Sequence, residues 1–406
     1  MLRAGPLLLL LGSVSALAAP PAWPEFRGPT GQGVSLAEEL PLHWSETENI
    51  AWKTPIPGRG WSSPAILDGK AWMTTATDAG RSLRAIAVDA ASGKILHDVE
   101  VFNLSGAPPK KHEKNSHASP TPILEENRVY VHFGSQGTAA LDGDGKVLWR
   151  NQEHHFVQGH GNGGSPVVWK DLIIFNCDGI DRQFIAALDK NTGETRWTKS
   201  RGKSRMSYAT PLIIETDQGP QLISPGGDYA ASYDPSTGEE IWRITYDGFS
   251  LVPRPVYANG LVYIASGFYG PILFAVKPDG RGDVTASKVV WKETRGVPLT
   301  SSPIVSGGRL YMVSDNGIAS CLNALTGQRL WQARLGGNFS ASPLLAGNRL
   351  YFTSETGETT VIEDAPKYHE LAKNQIEGDT LASFAVDGTA LLLRSGTDLY
   401  RIEPAR

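Results

Sequence analysis

Cysteine is nearly absent: Cys177 and Cys321 are the only two in 406 residues. They fall in different structural repeats, too far apart for a mutual bridge, so a disulfide scaffold is excluded and two buried thiols are expected. An excess of charge is missing as well. Lys and Arg number 38 against 42 Asp and Glu, and the net charge of −4 leaves no basic footprint for nucleic acid. No nucleophile elbow, phosphate loop or dinucleotide fingerprint occurs in a strand-to-helix setting. Long apolar runs are scarce too, and the one at the start, Leu7 to Leu17, is too short and too weakly flanked to span a membrane.

That run follows Arg3 and ends in Ala16-Leu17-Ala18, which reads as a secretory signal over residues 1–18. No cysteine follows the cleavage region, so no lipid anchor is expected. The mature chain is expected in the periplasm or outside the cell.

Glycine and proline are plentiful, 44 and 27 residues, while apolar residues make up 40%. This is the balance of a turn-rich all-β chain rather than a disordered one. Small polar residues lead into a strand-opening proline at Pro64, Pro122, Pro166, Pro211, Pro255, Pro303 and Pro343, and Phe384 takes the proline's place in an eighth unit. A strand-rich period near 40 to 45 residues marks a β-propeller. Eight residues after the proline comes Trp72, Tyr130, Ile174, Tyr263, Tyr311 or Tyr351, with the Pro211 repeat stretched to Leu222. Turn pairs such as Asp68-Gly69, Asn259-Gly260 and Gly307-Gly308 make the first two strands hairpin partners. A glycine turn then precedes a tryptophan by four positions: Gly145 and Trp149, Gly193 and Trp197, Gly238 and Trp242, Gly327 and Trp331.

The last unit lacks its fourth strand, and Trp52 supplies a fourth-strand signature with no blade before it. The spacing therefore predicts an eight-bladed all-β propeller over 49–404, its last blade closed by an N-terminal strand, behind an arm at 19–48. The tryptophans are expected to pack between blades.

The turns of the form Asp-x-x-Thr-Gly-x-x-x-Trp resemble the tryptophan-docking motifs of pyrroloquinoline quinone (PQQ) enzymes and of the PQQ-like repeat propellers. The segments Trp23 to Pro29, Lys114 to Thr121, His160 to Pro166 and Val252 to Pro255 resemble exported PQQ-like propellers of the planctomycete type. The Bam-complex propeller lipoprotein is a more distant likeness. Resemblance to the quinone enzymes implies PQQ with calcium. The chain departs from them, however, in lacking adjacent cysteines and any recognisable calcium set of glutamate, asparagine and aspartate. No cofactor is therefore expected, and PQQ with calcium is the alternative.

In a propeller the residues before each strand-opening proline ring one channel mouth, and the turns between second and third strands open on the same face. Those positions hold His117, His160, Asn162, Tyr208, Arg254, Thr300 and Phe339, joined by Asp178, Arg182, Asp228, Asp315 and Asn316. Arg254 with Asp178 or Asp315 reads equally well as an ion pair stitching blades. Six of nine histidines lie between His112 and His160, yet none has zinc-ligand spacing, and no metal is expected. Lys110 to Lys114 reads as a solvated loop. Three functions fit: a non-catalytic binding propeller for a peptide, glycan or protein; a PQQ-dependent oxidoreductase; or a hydrolase or lyase with His117 or His160 as acid and base and Asp178 or Asp315 as orienter.

Overall fold

The computed structural model describes residues 22–404. The proline-headed repeat folds into eight antiparallel sheets arranged as propeller blades. The first runs outward as Ala65–Leu67, Lys70–Thr77, Ser82–Asp89 and Ile95–Asn103. The innermost strands of the next six are Ile123–Glu125, Val167–Trp169, Leu212–Thr216, Val256–Ala258, Ile304–Ser306 and Leu344–Ala346. The only α-helix among the described residues is the single turn Thr285–Lys288.

Register follows the repeat. The residue after the proline pairs with the one eight beyond the proline, as in Ala65 with Trp72, Ile123 with Tyr130, Val256 with Tyr263 and Leu344 with Tyr351. In the fourth blade the partner of Leu212 is Ile223, not the expected Leu222, because this hairpin is extended by the pairs Glu215 with Pro220 and Thr216 with Gly219. Asp68-Gly69 and Asn259-Gly260 both have positive φ throughout, as a two-residue hairpin demands, whereas Gly307 alone does so in its pair.

In the second, third, fifth, sixth and eighth blades an outer-strand tryptophan fastens the blade to the next. Trp149 lies against Gly193 of the following blade and donates from Nε1 to the Lys190 carbonyl at 3.1 Å. Trp197 lies against Gly238 and Trp291 against Gly327 in the same way, with Nε1 bonds to Pro235 and Ala324. A Cβ on Gly193 would stand 2.5 Å from the Trp149 ring, so the glycine is required both by this approach and by its φ of +77°. Each such contact joins roughly 1.5–3 kcal/mol of apolar burial to about 1 kcal/mol of hydrogen bonding. Trp242 differs: it is fully buried in a core shared by the fourth and fifth blades and donates to Gln221 of its own blade. Its backbone pairs in parallel with Gly282 of the next blade's longer connection, Lys277 to Lys288, which contains the helix.

Closure occurs where expected. Ile50–Pro55 pairs antiparallel with Asp398–Ile402, completing the eighth blade outside Ala385–Asp387 and Ala390–Arg394. Trp52 then docks on Gly93 of the first blade. Cys177 and Cys321 are free and buried. No helix among the described residues is long and apolar enough to cross a membrane.

The arm has a larger part than the repeat foretold, for it crosses the propeller axis. Trp23 pairs with Ile66 of the first blade, and the Pro24 carbonyl accepts the Leu124 N–H of the second. Phe26 then meets Arg254 at the head of the fifth blade, and Arg27 donates to the Pro303 carbonyl of the sixth. Val34–Ser35 finally adds to the innermost strand of the seventh, and Leu40 and Trp44 are buried beyond it. The axial channel is therefore stopped by the chain's own residues.

Candidate functional site

Above the arm lies a bowl of about 440 Å³ at one channel mouth. Its base is built by the repeat itself. Seven blades place a hydroxyl just before the strand-opening residue: Ser63, Thr121, Ser165, Thr210, Ser302, Ser342 and Ser383. These oxygens bind the blades in a ring. Ser63 donates its N–H to the Thr121 hydroxyl, Thr121 to Ser165 and Ser165 to Thr210, at 2.9–3.0 Å. Beyond the gap at Arg254, Ser302 donates to Ser342, Ser342 to Ser383, and Ser383 back to Ser63, again at 2.9–3.0 Å. The small polar residue before each proline is thus an acceptor for its neighbour's backbone, and all seven hydroxyls line the bowl.

Arg254 takes the eighth place. Expected at the mouth as a ligand contact, it is instead enclosed: its N–H reaches the Ser302 hydroxyl, Nε the Pro211 carbonyl and Nη1 the Phe26 carbonyl. Glu25 stands 3.6 Å from Nη2. Its reach is spent on the arm, which carries no repeat signature to announce it. Gly31 makes room for the guanidinium, since a Cβ there would come within 2.4 Å of it.

Walls rise on aromatic side chains. Phe26 forms part of the floor, and Trp61, Tyr208, Phe249, Phe268 and Tyr269 stand around it. Phe249 and Tyr269 stack at 5.3 Å, with Tyr269 78% exposed. The His160 ring lies against Tyr208, Phe249 and His112, at 6.0, 6.3 and 5.8 Å. Burial and the neighbouring His112 lower its pKa. Tyr208 accepts the His160 N–H at 3.0 Å, and burial pushes its phenol up to about 12.

The Lys110 to Lys114 connection is largely exposed, as expected of a solvated loop, and also borders this mouth. Asn115 ties it to the carbonyls of His160 and Asn162, at 2.8 and 2.9 Å. Lys114 reaches Glu355 of the seventh blade at 2.6 Å, so an ion pair crosses from one side of the ring to the other. Both Lys114 and His112 line the bowl.

The remaining expected residues divide. Thr300 lines the bowl, and Asp315 holds it there by accepting the N–H groups of Leu299 and Thr300 and the Thr300 hydroxyl. Burial raises the Asp315 pKa. The same Thr300 hydroxyl lies 3.2 Å from the carbonyl of buried Phe339, an alternative acceptor for its one proton. Asn162 and Asp178 sit behind the wall, at a separate polar cavity of about 20 Å³. Asp178 is fully buried beside Arg201 at 3.4 Å, and burial raises its carboxyl to about 6 despite that cation. His117 turns away, its ring packed against Gly80 in the first blade. Arg182 is exposed on the rim near Asp181, Asn316 is exposed and accepts from Ser314, and Asp228 pairs with Arg205.

Two chemistries expected as alternatives find little here. Neither His117 nor His160 has a ring hydrogen bond to Asp178 or Asp315 among the described residues, because those carboxylates face Arg201 and Thr300. For calcium-bound PQQ, hydroxyls suit the quinone's carboxylates, but no cluster of three acidic or histidine ligands occurs among the described residues. Glu25, Asp178 and Asp315 are each committed elsewhere, so the metal half of that cofactor does not fit.

Ring, plug and bowl define an eight-bladed propeller of the PQQ-like class with a blind axial site. The chain belongs to the family described as outer membrane protein assembly factor BamB, which matches residues 46–207, 181–281 and 280–405. No curated protein sequence matches it. Among solved structures it is similar to BamB from Moraxella catarrhalis, at 14% identity and TM-score 0.61, covering 87% of this chain and 99% of that one. It is also similar to quinohemoprotein alcohol dehydrogenase from Comamonas testosteroni, at 11% identity and TM-score 0.67, covering 95% and 81%. A europium-containing methanol dehydrogenase gives 12% identity and TM-score 0.65, covering 93% and 90%. At these identities the likeness is one of fold.

Proposed function

We propose that this is an exported, non-catalytic binding propeller that receives part of a peptide, glycan or protein ligand in the bowl. The leader-like residues 1–18 support export and lie outside the described residues. The observation that carries the binding reading is the bowl itself, a concave site whose aromatic walls surround a ring of hydroxyls. A few convergent polar groups in an apolar pocket supply orientation and affinity together. The polar side chains that would serve acid-base chemistry are engaged elsewhere, which favours holding a ligand over transforming one.

The test is to probe peptide and glycan arrays with the mature protein and with Trp61→Ala/Tyr269→Ala. Specific capture that falls at least tenfold in the variant, with an unchanged circular dichroism spectrum, is the expected result. Equal capture by both proteins would remove the bowl from the function.

A further inference from the structure

The bowl is closed below by the arm, so a ligand entering it along the axis has to end there. Its base also has a definite hydrogen-bonding polarity. Each of the seven ring hydroxyls already accepts one backbone N–H. None of their own protons has an acceptor among the described residues, although every one of these side chains is more than nine-tenths buried. Seven O–H groups thus converge on one space as unspent donors.

Three enclosed guanidiniums that adjoin the ring without lining the bowl carry the matching sign. Arg254 and Arg27 donate to the carbonyls of Pro211 and Pro303, one residue past Thr210 and Ser302 in the ring. Arg394 donates to the Ser62 hydroxyl, one residue before Ser63. Against these three enclosed guanidiniums stands one carboxylate, Glu25, paired with Arg254. Arg27 keeps Nε and Nη1 without hydrogen-bond partners, and Arg394 keeps Nε. Burial lowers the pKa of both to about 9, and Arg254 adds to the effect at Arg27. Buried charges in proteins are normally paired, because leaving one alone in a poorly solvating interior is expensive.

From the blind base, the unspent donors and the uncompensated cations, we infer that the bowl captures the C-terminal carboxylate of an extended peptide. This rests on the binding function proposed above and narrows it to one ligand class. A carboxylate has two acceptor oxygens and a negative charge, which answer the hydroxyls and the guanidiniums at once. An N-terminal ammonium brings only donors and a positive charge, and a neutral sugar leaves the cations unanswered. The terminal side chain meets Phe26, Trp61 and Phe249, and the preceding residues leave beside the Lys114 and Glu355 pair.

The experiment is fluorescence anisotropy with a hexapeptide library labelled at its N-terminus, prepared as free acids and as C-terminal amides, on the mature protein. At least tenfold tighter binding of the free acids is expected, and Ser302→Ala/Ser342→Ala should erase most of that preference. Thr121→Val, set against the hydroxyl-retaining Thr121→Ser, gives the same comparison if the double variant unfolds. Equal affinity for acids and amides would overturn terminal capture while leaving the bowl a peptide site. So would amidated peptides with an internal Asp or Glu that bind as well as free acids. Displacement by succinate at equal concentration would overturn the peptide as the carboxylate's source. Failure of both peptide forms, with glycans captured on the arrays, would overturn the inference and leave the binding function standing.

Discussion

The seam between the first and eighth blades offers a quantitative test of how the ring is held. Trp52 lies on the N-terminal strand with its ring over Gly93, and Nε1 donates to the Ala90 carbonyl at 3.1 Å. Thr54 donates to the Gly93 carbonyl at 2.6 Å. Trp52→Ala removes a half-buried indole and one hydrogen bond, a loss of about 2–3 kcal/mol. Gly93 has φ of +74°, and a Cβ there would approach the indole to 2.6 Å. Gly93→Ala should therefore cost about 1 kcal/mol for its backbone conformation and about 1–3 kcal/mol for overpacking. With Trp52 already truncated only the clash with the Thr54 hydroxyl, 2.7 Å from that Cβ, remains, so the second substitution costs about 1–2 kcal/mol. The double variant should lose about 3–5 kcal/mol, against roughly 4–7 kcal/mol for simple addition. Urea unfolding of the four proteins, with equal m values, measures the difference. Additivity within about 0.5 kcal/mol would refute the claim that indole over glycine fastens the seam.

Arg254→Ala strips the arm's carbonyls and Glu25 of their partner and should destabilise by about 3–5 kcal/mol, with faster proteolysis within residues 22–48; wild-type resistance would show that the arm is held without it. Asp178 binds its proton near pH 6 when folded, against an ordinary 3.8, so the folded chain holds the extra proton between those values. Stability from this group accordingly rises as pH falls from 7 towards 4. Asp178→Asn should flatten that part of the urea-midpoint profile, and an unchanged slope would remove Asp178 as its source. Adding PQQ and calcium should produce no retained chromophore after gel filtration; a bound stoichiometric quinone would contradict the poor fit of the carboxylates to a metal.

Most of the fold was legible because a propeller states its grammar eight times. Proline, hairpin turn and docking tryptophan each have a local physical cause, and Trp52 betrayed the closure by keeping its spacing from Pro64. The arm occurs once, so Trp23, Phe26 and Arg27 gave no pattern by which to place them across the axis. That omission made Arg254 look available when it is the arm's anchor. The positions before each proline pointed to the mouth that holds the bowl, and His160, Tyr208 and Thr300 line it. Attention to polar groups passed over Trp61, Phe249 and Tyr269, although Tyr269 occupies one of the second-to-third-strand turns that face this mouth. His112 and Lys114 lie on a connection that is solvated as read, but its place beside the bowl was missed. Its length and its placement on that same face were the available signals.

The shared eighth blade also sets an order of events. Ile50–Pro55 is made early by the ribosome, yet its sheet partners Ala385–Asp387, Ala390–Arg394 and Asp398–Ile402 come hundreds of residues later. The ring cannot lock until nearly the whole chain is present. A chain halted before Asp398 leaves the early strand without its neighbour and the ring open, so closure acts as a built-in check that synthesis has run past that point.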